Sequence, residues 1–279
     1  MNGINNMKSS SELEKSKGVL VFAFNSQKVK YTEIADQTSR LINRTLGLPV
    51  TLVTDVDAEL KFDYDQVIRV DSKTGNVRFS KDQQVYEWKN FDRYRAFDFS
   101  PYDETILIDT DYLMLDTSLL KLLDQPFDYR LMYNMQTPQA LNIDEMGPAS
   151  LPMVWATVVL FRKTLRAKLF FDLVGRIQRN YGYYRSLFSI RETNYRNDFA
   201  FSMANIILNG HTLTPEQSIP WPMLTIEDNI EAIDLKNKFL TVKYDSRADV
   251  ISRQNLHIMD KNYLLSDQFK NFVERICND

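Results

Sequence analysis

Runs of apolar residues closed by polar ones set the rhythm of this chain. Residues 18–24 are apolar without alternation, which predicts a strand covered on both faces, and Asn25-Ser26 ends it. Residues 31–46 repeat apolar side chains at helical spacing through Ile34, Leu41, Ile42 and Leu46. Gly47 follows, where a left-handed helix end is wanted. Residues 49–54 predict a second strand ending at Asp55, residues 66–70 a short third one, and residues 87–97 a helix carrying Trp88, Phe91, Tyr94 and Arg95. The run Ile106-Leu107-Ile108 predicts a central parallel strand. Beyond it the rhythm loosens. Residues 128–135 and 153–161 predict strands, with a loop over residues 137–152 that holds three prolines and one glycine. Residues 163–180 and 198–208 predict helices, 239–243 and 254–259 late strands, and 266–277 a closing helix. The alternation of strand and helix in the first half predicts an α/β fold of Rossmann-like type, a mostly parallel mixed sheet flanked by helices.

The chemistry gathers where the central strand ends. Asp109-Thr110-Asp111 puts two carboxylates one residue apart directly after a buried-type strand. The carboxyl ends of such strands border the crevice where open α/β sheets bind ligands. Paired carboxylates there suit a hard divalent cation held together with substrate phosphates. The plainer alternative is that one aspartate caps a helix starting near Thr117 and the other is solvated.

Composition narrows the setting. The chain has 279 residues, 44% hydrophobic and 25% charged, with a net charge of −3, ordinary values for a globular protein. Its length fits one large α/β domain over residues 18–279, read as a nucleotide-binding half (18–116) and an acceptor-binding half (117–279). Residues 1–17 are rich in Ser, Asn and Lys and read as a flexible tail. Cys277 is the only cysteine, which excludes a disulfide framework and a cysteine metal site. A cytoplasmic setting is expected, with no transmembrane segment.

Over residues 18 to about 264 these patterns resemble the GT-A glycosyltransferases, more narrowly the retaining glycogenin-like and lipopolysaccharide-galactosyltransferase-like enzymes. The resemblance rests on the first strand, the Asp109-Thr110-Asp111 motif, the small-residue strand beginning Ala156-Thr-Val-Val, the Asn197-Asp198 pair at a helix start and the His257-Ile-Met-Asp-Lys261 segment. It implies a nucleotide-sugar donor, UDP-linked, and Mn²⁺ or Mg²⁺ held by Asp109, Asp111 and His257. It further implies that Ala23, Phe24, Asn25, Asp55 and Thr110 seat the nucleotide and that Arg95 and Lys261 face the diphosphate. Asp198 with Asn197 would face the sugar, orienting a hydroxyl, shielding an oxocarbenium-like centre or acting as a base. The family usually has a glycine between the His and the Lys and an aromatic residue after the Lys. Here the glycine is missing and Tyr263 lies two residues on.

The acceptor is read from charge. Residues 162–196 carry nine basic residues and only Asp172 and Glu192 as acids, a net +7, which leaves −10 for the rest of the chain. Phe170, Phe171, Tyr181, Tyr183, Tyr184, Phe188 and Tyr195 are interleaved with them. Arginines among aromatics suit an anionic polymer with flat faces, so Arg176, Arg179, Tyr183 and Arg185 are read as acceptor contacts, and Trp155 is added because it adjoins the strand read as lining the sugar pocket. Double-stranded DNA with a hydroxymethylated base is the expected acceptor, its target base flipped out of the stack. The alternatives are a cell-surface glycan or lipid-linked acceptor, or a solvated helix face with no acceptor role. A metal-dependent nucleotidyltransferase also uses paired acids, but no glycine-rich phosphate loop stands out among the 8 glycines. The oligomeric state is not legible. His211, after Asn209-Gly210, reads as a helix-end residue.

Overall fold

The computed structural model describes residues 15–278 except 56, 72–76, 80–84, 88, 91, 144–148, 150, 213, 228, 237, 245 and 246. Its main sheet contains β1 (Lys17–Ala23), β2 (Val50–Asp55), β3 (Gln66–Val70), β6 (Glu104–Asp109), β8 (Tyr129–Met132) and β10 (Trp155–Arg162), in the order β3-β2-β1-β6-β10-β8. β4 (Val77–Phe79) and β5 (Val85–Glu87) form a separate antiparallel pair. The α/β class and the mostly parallel mixed sheet flanked by helices are as expected.

The apolar runs explain the central strands. Ile106, Leu107 and Ile108 are fully buried, and each such side chain contributes about 1.5–3 kcal/mol. The expected parallel neighbour is present on one side only. β6 pairs parallel with β1, Val21 opposite Ile108, and antiparallel with β10, Val158 opposite Ile108. That reversal brings the start of β10 to the carboxyl ends of β1 and β6, where the crevice lies.

Helix α1 (Tyr31–Leu46) closes with Gly47 at φ 63°, its N–H on the Asn43 carbonyl at 2.9 Å, the left-handed end that the sequence called for. It is apolar on two sides. Ala35, Ile42 and Leu46 pack on the main sheet, whereas Ile34 and Leu41 join a second cluster with Phe269, Phe272 and Val273 of α8 (Asp267–Asn278). Two smaller sheets complete that side. One joins β7 (Tyr112–Leu113), β15 (Leu256–Ile258), β11 (Met223–Ile226) and β9 (Met135–Gln136); the other is a meander of β12 (Ile230–Lys236), β13 (Phe239–Tyr244) and β14 (Arg247–Ser252). The remaining helices are α2 (Ala96–Phe99), α3 (Ser118–Leu123), α4 (Leu165–Arg179), α5 (Tyr181–Leu187), α6 (Asn197–Leu208) and α7 (Lys261–Leu265). No helix among the described residues is long and apolar enough to cross a membrane.

Several expectations need correction. Residues 87–97 are not one helix: β5 ends at Glu87, and a 3₁₀ turn, Arg93–Arg95, leads into α2. Residues 128–135 split into β8 and β9, which belong to different sheets. The tail stops short of residue 17, because Lys17 opens β1 and the Ser16 hydroxyl donates to Asp103 at 2.9 Å. Residues 1–14 lie outside the described set, as does much of the proline-bearing loop.

Candidate active site

A cavity of about 270 Å³ opens at the carboxyl ends of β1 and β6. β1 and the start of α1 supply Phe22, Phe24, Ser26 and Tyr31; β6 and the turn after it supply Asp109, Thr110 and Asp111; the start of β10 supplies Trp155, Ala156 and Thr157. Arg196, Asn197 and Asp198 enter at the head of α6, and His257 enters from β15. The turn from β6 into β7 carries Asp111 against β15, since Ile258 N–H donates to the Asp111 carbonyl at 2.9 Å and Tyr112 lies opposite His257. Short-range β pairing thus joins residues far apart in sequence.

The two carboxylates have separate partners. Asp109 meets Arg93 Nη1 at 2.5 Å, and Arg93 Nη2 donates to the Ala156 carbonyl at 2.7 Å. Arg93 is 1% exposed, and the ring of its neighbour Tyr94 packs so close to α4 that a Cβ on Gly175 would stand 2.6 Å from it. Burial raises the Asp109 carboxyl to about 6, with Asp111 and Asp198 adding to the shift and Arg93 and His257 opposing it. For Asp111, burial also favours the neutral acid, but Lys261 and His257 outweigh it and hold the carboxyl well below the usual range. Lys261 Nζ lies 2.6 Å from Asp111 Oδ2.

The other oxygen of Asp111 shows what the donor set fits. Oδ1 is buried without a hydrogen-bond partner, and His257 Nε2 stands 3.6 Å away, beyond hydrogen-bond reach. His257 Nδ1 lies 3.2 Å from Thr225 Oγ1; where it donates to that hydroxyl, Nε2 keeps its lone pair for a ligand. Among the described residues no three His, Cys, Asp or Glu groups form a ready metal cage. Mn²⁺ or Mg²⁺ beside substrate phosphates needs only one or two carboxylates from the protein, a demand that Asp111 meets through its open oxygen next to His257.

At the head of α6, Asp198 Oδ1 accepts from Ala156 N–H at 2.9 Å and Oδ2 accepts from Arg196 Nη2 at 2.9 Å. Asn197 donates to the Asn90 carbonyl at 2.9 Å and accepts from Tyr195 OH at 3.2 Å. The helix start therefore ties β10 to the segment before Arg93.

The cavity brings together eight of the expected residues: Phe24, Asp109, Thr110, Asp111, Trp155, Asn197, Asp198 and His257. Lys261 reaches it through Asp111. Others serve elsewhere. Ala23 is buried with its carbonyl accepting from Thr54, and Asn25 Oδ1 accepts from Thr32 N–H at 3.0 Å, capping α1. Asp55 pairs with Lys89, a cavity residue, at 3.3 Å. Arg95 does not line the cavity and lies over the Phe99 ring at 4.3 Å. The arginine buried at the site is Arg93 instead, two residues before the expected Arg95. Arg176, Arg179, Tyr183 and Arg185 lie on α4 and α5 outside the cavity lining. His211 sits at the end of α6 with φ 64°, stacked on Phe188.

No protein-family model and no curated protein matches this sequence. Among solved structures the chain is similar to the glycosyltransferase GlyE of Streptococcus pneumoniae TIGR4, at 15% identity and a TM-score of 0.39, over 73% of this chain and 44% of that one. It is also similar to the galactosyltransferase LgtC in complex with donor and acceptor sugar analogs, at 14% identity and a TM-score of 0.45, over 66% and 68% of the two chains. Mouse xyloside xylosyltransferase 1 gives 12% identity and a TM-score of 0.43, over 73% and 84%. The chain spans less than half the length of GlyE. With TM-scores of 0.39 to 0.45, these likenesses fix neither family nor activity.

Proposed function

We propose that this chain is a glycosyltransferase that moves a sugar from a nucleotide-sugar donor to an acceptor hydroxyl, with Mn²⁺ or Mg²⁺ held by Asp109, Asp111 and His257. The observation that carries this reading is Asp111 Oδ1, a buried carboxylate oxygen with no hydrogen-bond partner, facing His257 Nε2 beside a second carboxylate at the mouth of the crevice. When bound, the ion neutralises charge on the donor phosphates and on the departing diphosphate. The chain's own cations share that work: Lys261 stands at Asp111, and Lys89 lines the same cavity. Arg93 fixes Asp109 and ties it to the Ala156 carbonyl, so the acid pair is held rigidly before substrate arrives. Asp198 is oriented through both oxygens, which suits a carboxylate that positions a sugar hydroxyl or faces developing positive charge. Phe24, Tyr31 and Trp155 offer flat faces to a base or sugar ring.

For the acceptor, duplex DNA with a hydroxymethylated base requires exposed stacking faces in residues 162–196. Phe170, Phe171, Tyr181 and Phe188 are core residues instead, and among the aromatics of that segment only Tyr183 is largely exposed. The geometry therefore favours a glycan or lipid-linked hydroxyl over a flipped base.

The test is release of nucleoside diphosphate from a panel of nucleotide sugars, UDP-linked ones first, with Mn²⁺ or with chelator, and with hydroxymethylated DNA or glycan acceptors. Metal-dependent release from one donor is the expected result. Absence of release from every donor would overturn the transfer reading and return nucleotidyl transfer to consideration.

A further inference from the structure

The strongly basic segment is spent unevenly in the fold. Arg162 pairs with Glu104 at 3.0 Å and Arg196 with Asp198, so both are drawn inward. Lys163, Arg166, Arg176, Arg179 and Arg191 remain on the surface, and Lys168, also exposed, pairs with Asp172 at 2.7 Å. Helix α4 buries Ala167, Phe170, Phe171, Val174 and Ile177. Its opposite stripe is Leu165, Leu169, Asp172, Arg176 and Arg179, at spacings of four, three, four and three residues, with Lys168 beside it. That spacing keeps all of them on one face of a helix.

This outward face is apolar where a surface helix is ordinarily polar. Leu165 is 74% exposed and Leu169 48%, and on α5 Tyr183 is 67% and Leu187 56% exposed. Among the described residues, half of the eight large exposed apolar side chains therefore fall within residues 165–187. The turn after α6 touches both helices. Arg166 Nη2 donates to Asn209 Oδ1 at 2.5 Å, and the Phe188 ring stacks on His211 at 6.0 Å. The exposed start of α4 and the exposed end of α5 thus border one turn.

We infer that the outward faces of α4 and α5 dock on an anionic phospholipid membrane. Leucines and a tyrosine among Lys and Arg match the boundary between acyl chains and headgroups, where the apolar side chains insert and the cations meet lipid phosphates. Charge complementarity selects the lipid: each Lys or Arg near an anionic leaflet strengthens binding by about fivefold at low salt. Duplex DNA would use the same cations but has no use for exposed leucines. This surface goes beyond the transfer reading, because it would bind lipid whatever the cavity does.

The experiment is co-sedimentation of the full chain with vesicles of phosphatidylcholine alone or mixed with phosphatidylglycerol, with a duplex DNA binding assay in parallel. Binding to the anionic vesicles only, weakening as salt rises, is expected. The triple variant L165S/L169S/L187S should lose about tenfold or more of that binding. The control F239S/V250S, on the exposed apolar residues of the β12–β14 meander, should retain it. Nucleoside diphosphate release in solution should be the same in the leucine variant and the parent. Anionic-vesicle binding that survives the leucine changes would overturn the inference, as would equal binding to both vesicle types, binding to DNA alone, or binding to neither. Loss of donor cleavage in the parent chain, with the vesicle result intact, would instead strike the transfer reading.

Discussion

Asp109 and Asp111 stand one residue apart in opposite surroundings. On the Asp109 side, a buried arginine is committed to the carboxylate and to the β10 carbonyls, yet burial still leaves the acid raised to about 6. On the Asp111 side, a lysine and a histidine hold the acid ionised while one oxygen is left without a hydrogen bond. The two acids are thus prepared differently: Asp109 is anchored to the crevice wall through Arg93, and Asp111 keeps one oxygen open beside His257.

The comparison breaks most sharply at Asp111. Asp111→Asn keeps the shape but removes the ionised group, so metal-dependent turnover should fall by about a thousandfold, roughly 4 kcal/mol, and the lost pairing with Lys261 should lower the melting temperature as well. Steady-state assays beside thermal unfolding check this, and unchanged turnover would remove the ligand role. Arg93→Met should act in the opposite manner, on stability first. Removing one partner of a buried ion pair costs about 3–5 kcal/mol, read by urea unfolding, and Asp109→Asn in the same chain should recover part of it. A melting curve unmoved by Arg93→Met would show that the wall does not depend on the pair.

His257→Ala sharpens the contrast from the ligand side. Its loss should weaken Mn²⁺ binding by about 10–100-fold, measured by calorimetry, with smaller effects on unfolding than Arg93→Met. If the affinity does not move, His257 is structural. The smallest effect is in pH. Because the folded-state Asp109 is raised from 3.8 to about 6, its contribution to stability is complete below 3.8 and is lost as pH rises through 6. The parent should therefore lose stability between pH 4 and 7 relative to Asp109→Asn. Over the same interval Mn²⁺ affinity should rise, since the ion competes with protons on its ligands. Asp111, already ionised throughout, should add nothing to either profile.

The readable parts of the site share a physical cause. Asp109 and Asp111 were legible because a fully buried strand must be apolar and an acid at its end cannot be part of that run. His257 was legible from its place before Lys261, and Gly47 from the helix it closes. Arg93 was not, because Tyr94 and Arg95 fit a helical period equally well and only tertiary packing converts the segment to a 3₁₀ turn. The aromatics of α4 misled for a related reason: Phe170 and Phe171 are adjacent in sequence and both pack inward against Phe201, so interleaving along the chain did not mean interleaving on the surface. Strand β14 escaped notice because one of its faces is left open, and Arg247, Ala248, Val250 and Ser252 are all exposed. An uncovered strand need not carry an apolar alternation.

Gly175 has a consequence for anyone who would make this protein sturdier. Replacing a glycine in the middle of a helix by alanine ordinarily adds about 0.5–1 kcal/mol, and α4 invites that substitution. Here the added methyl would press on the Tyr94 ring, next to Arg93. Gly175→Ala should therefore lower the melting temperature rather than raise it, because the ring must move to make room. An engineer working from helix propensity alone would pick a position on α4 where the neighbouring ring outweighs the propensity gain.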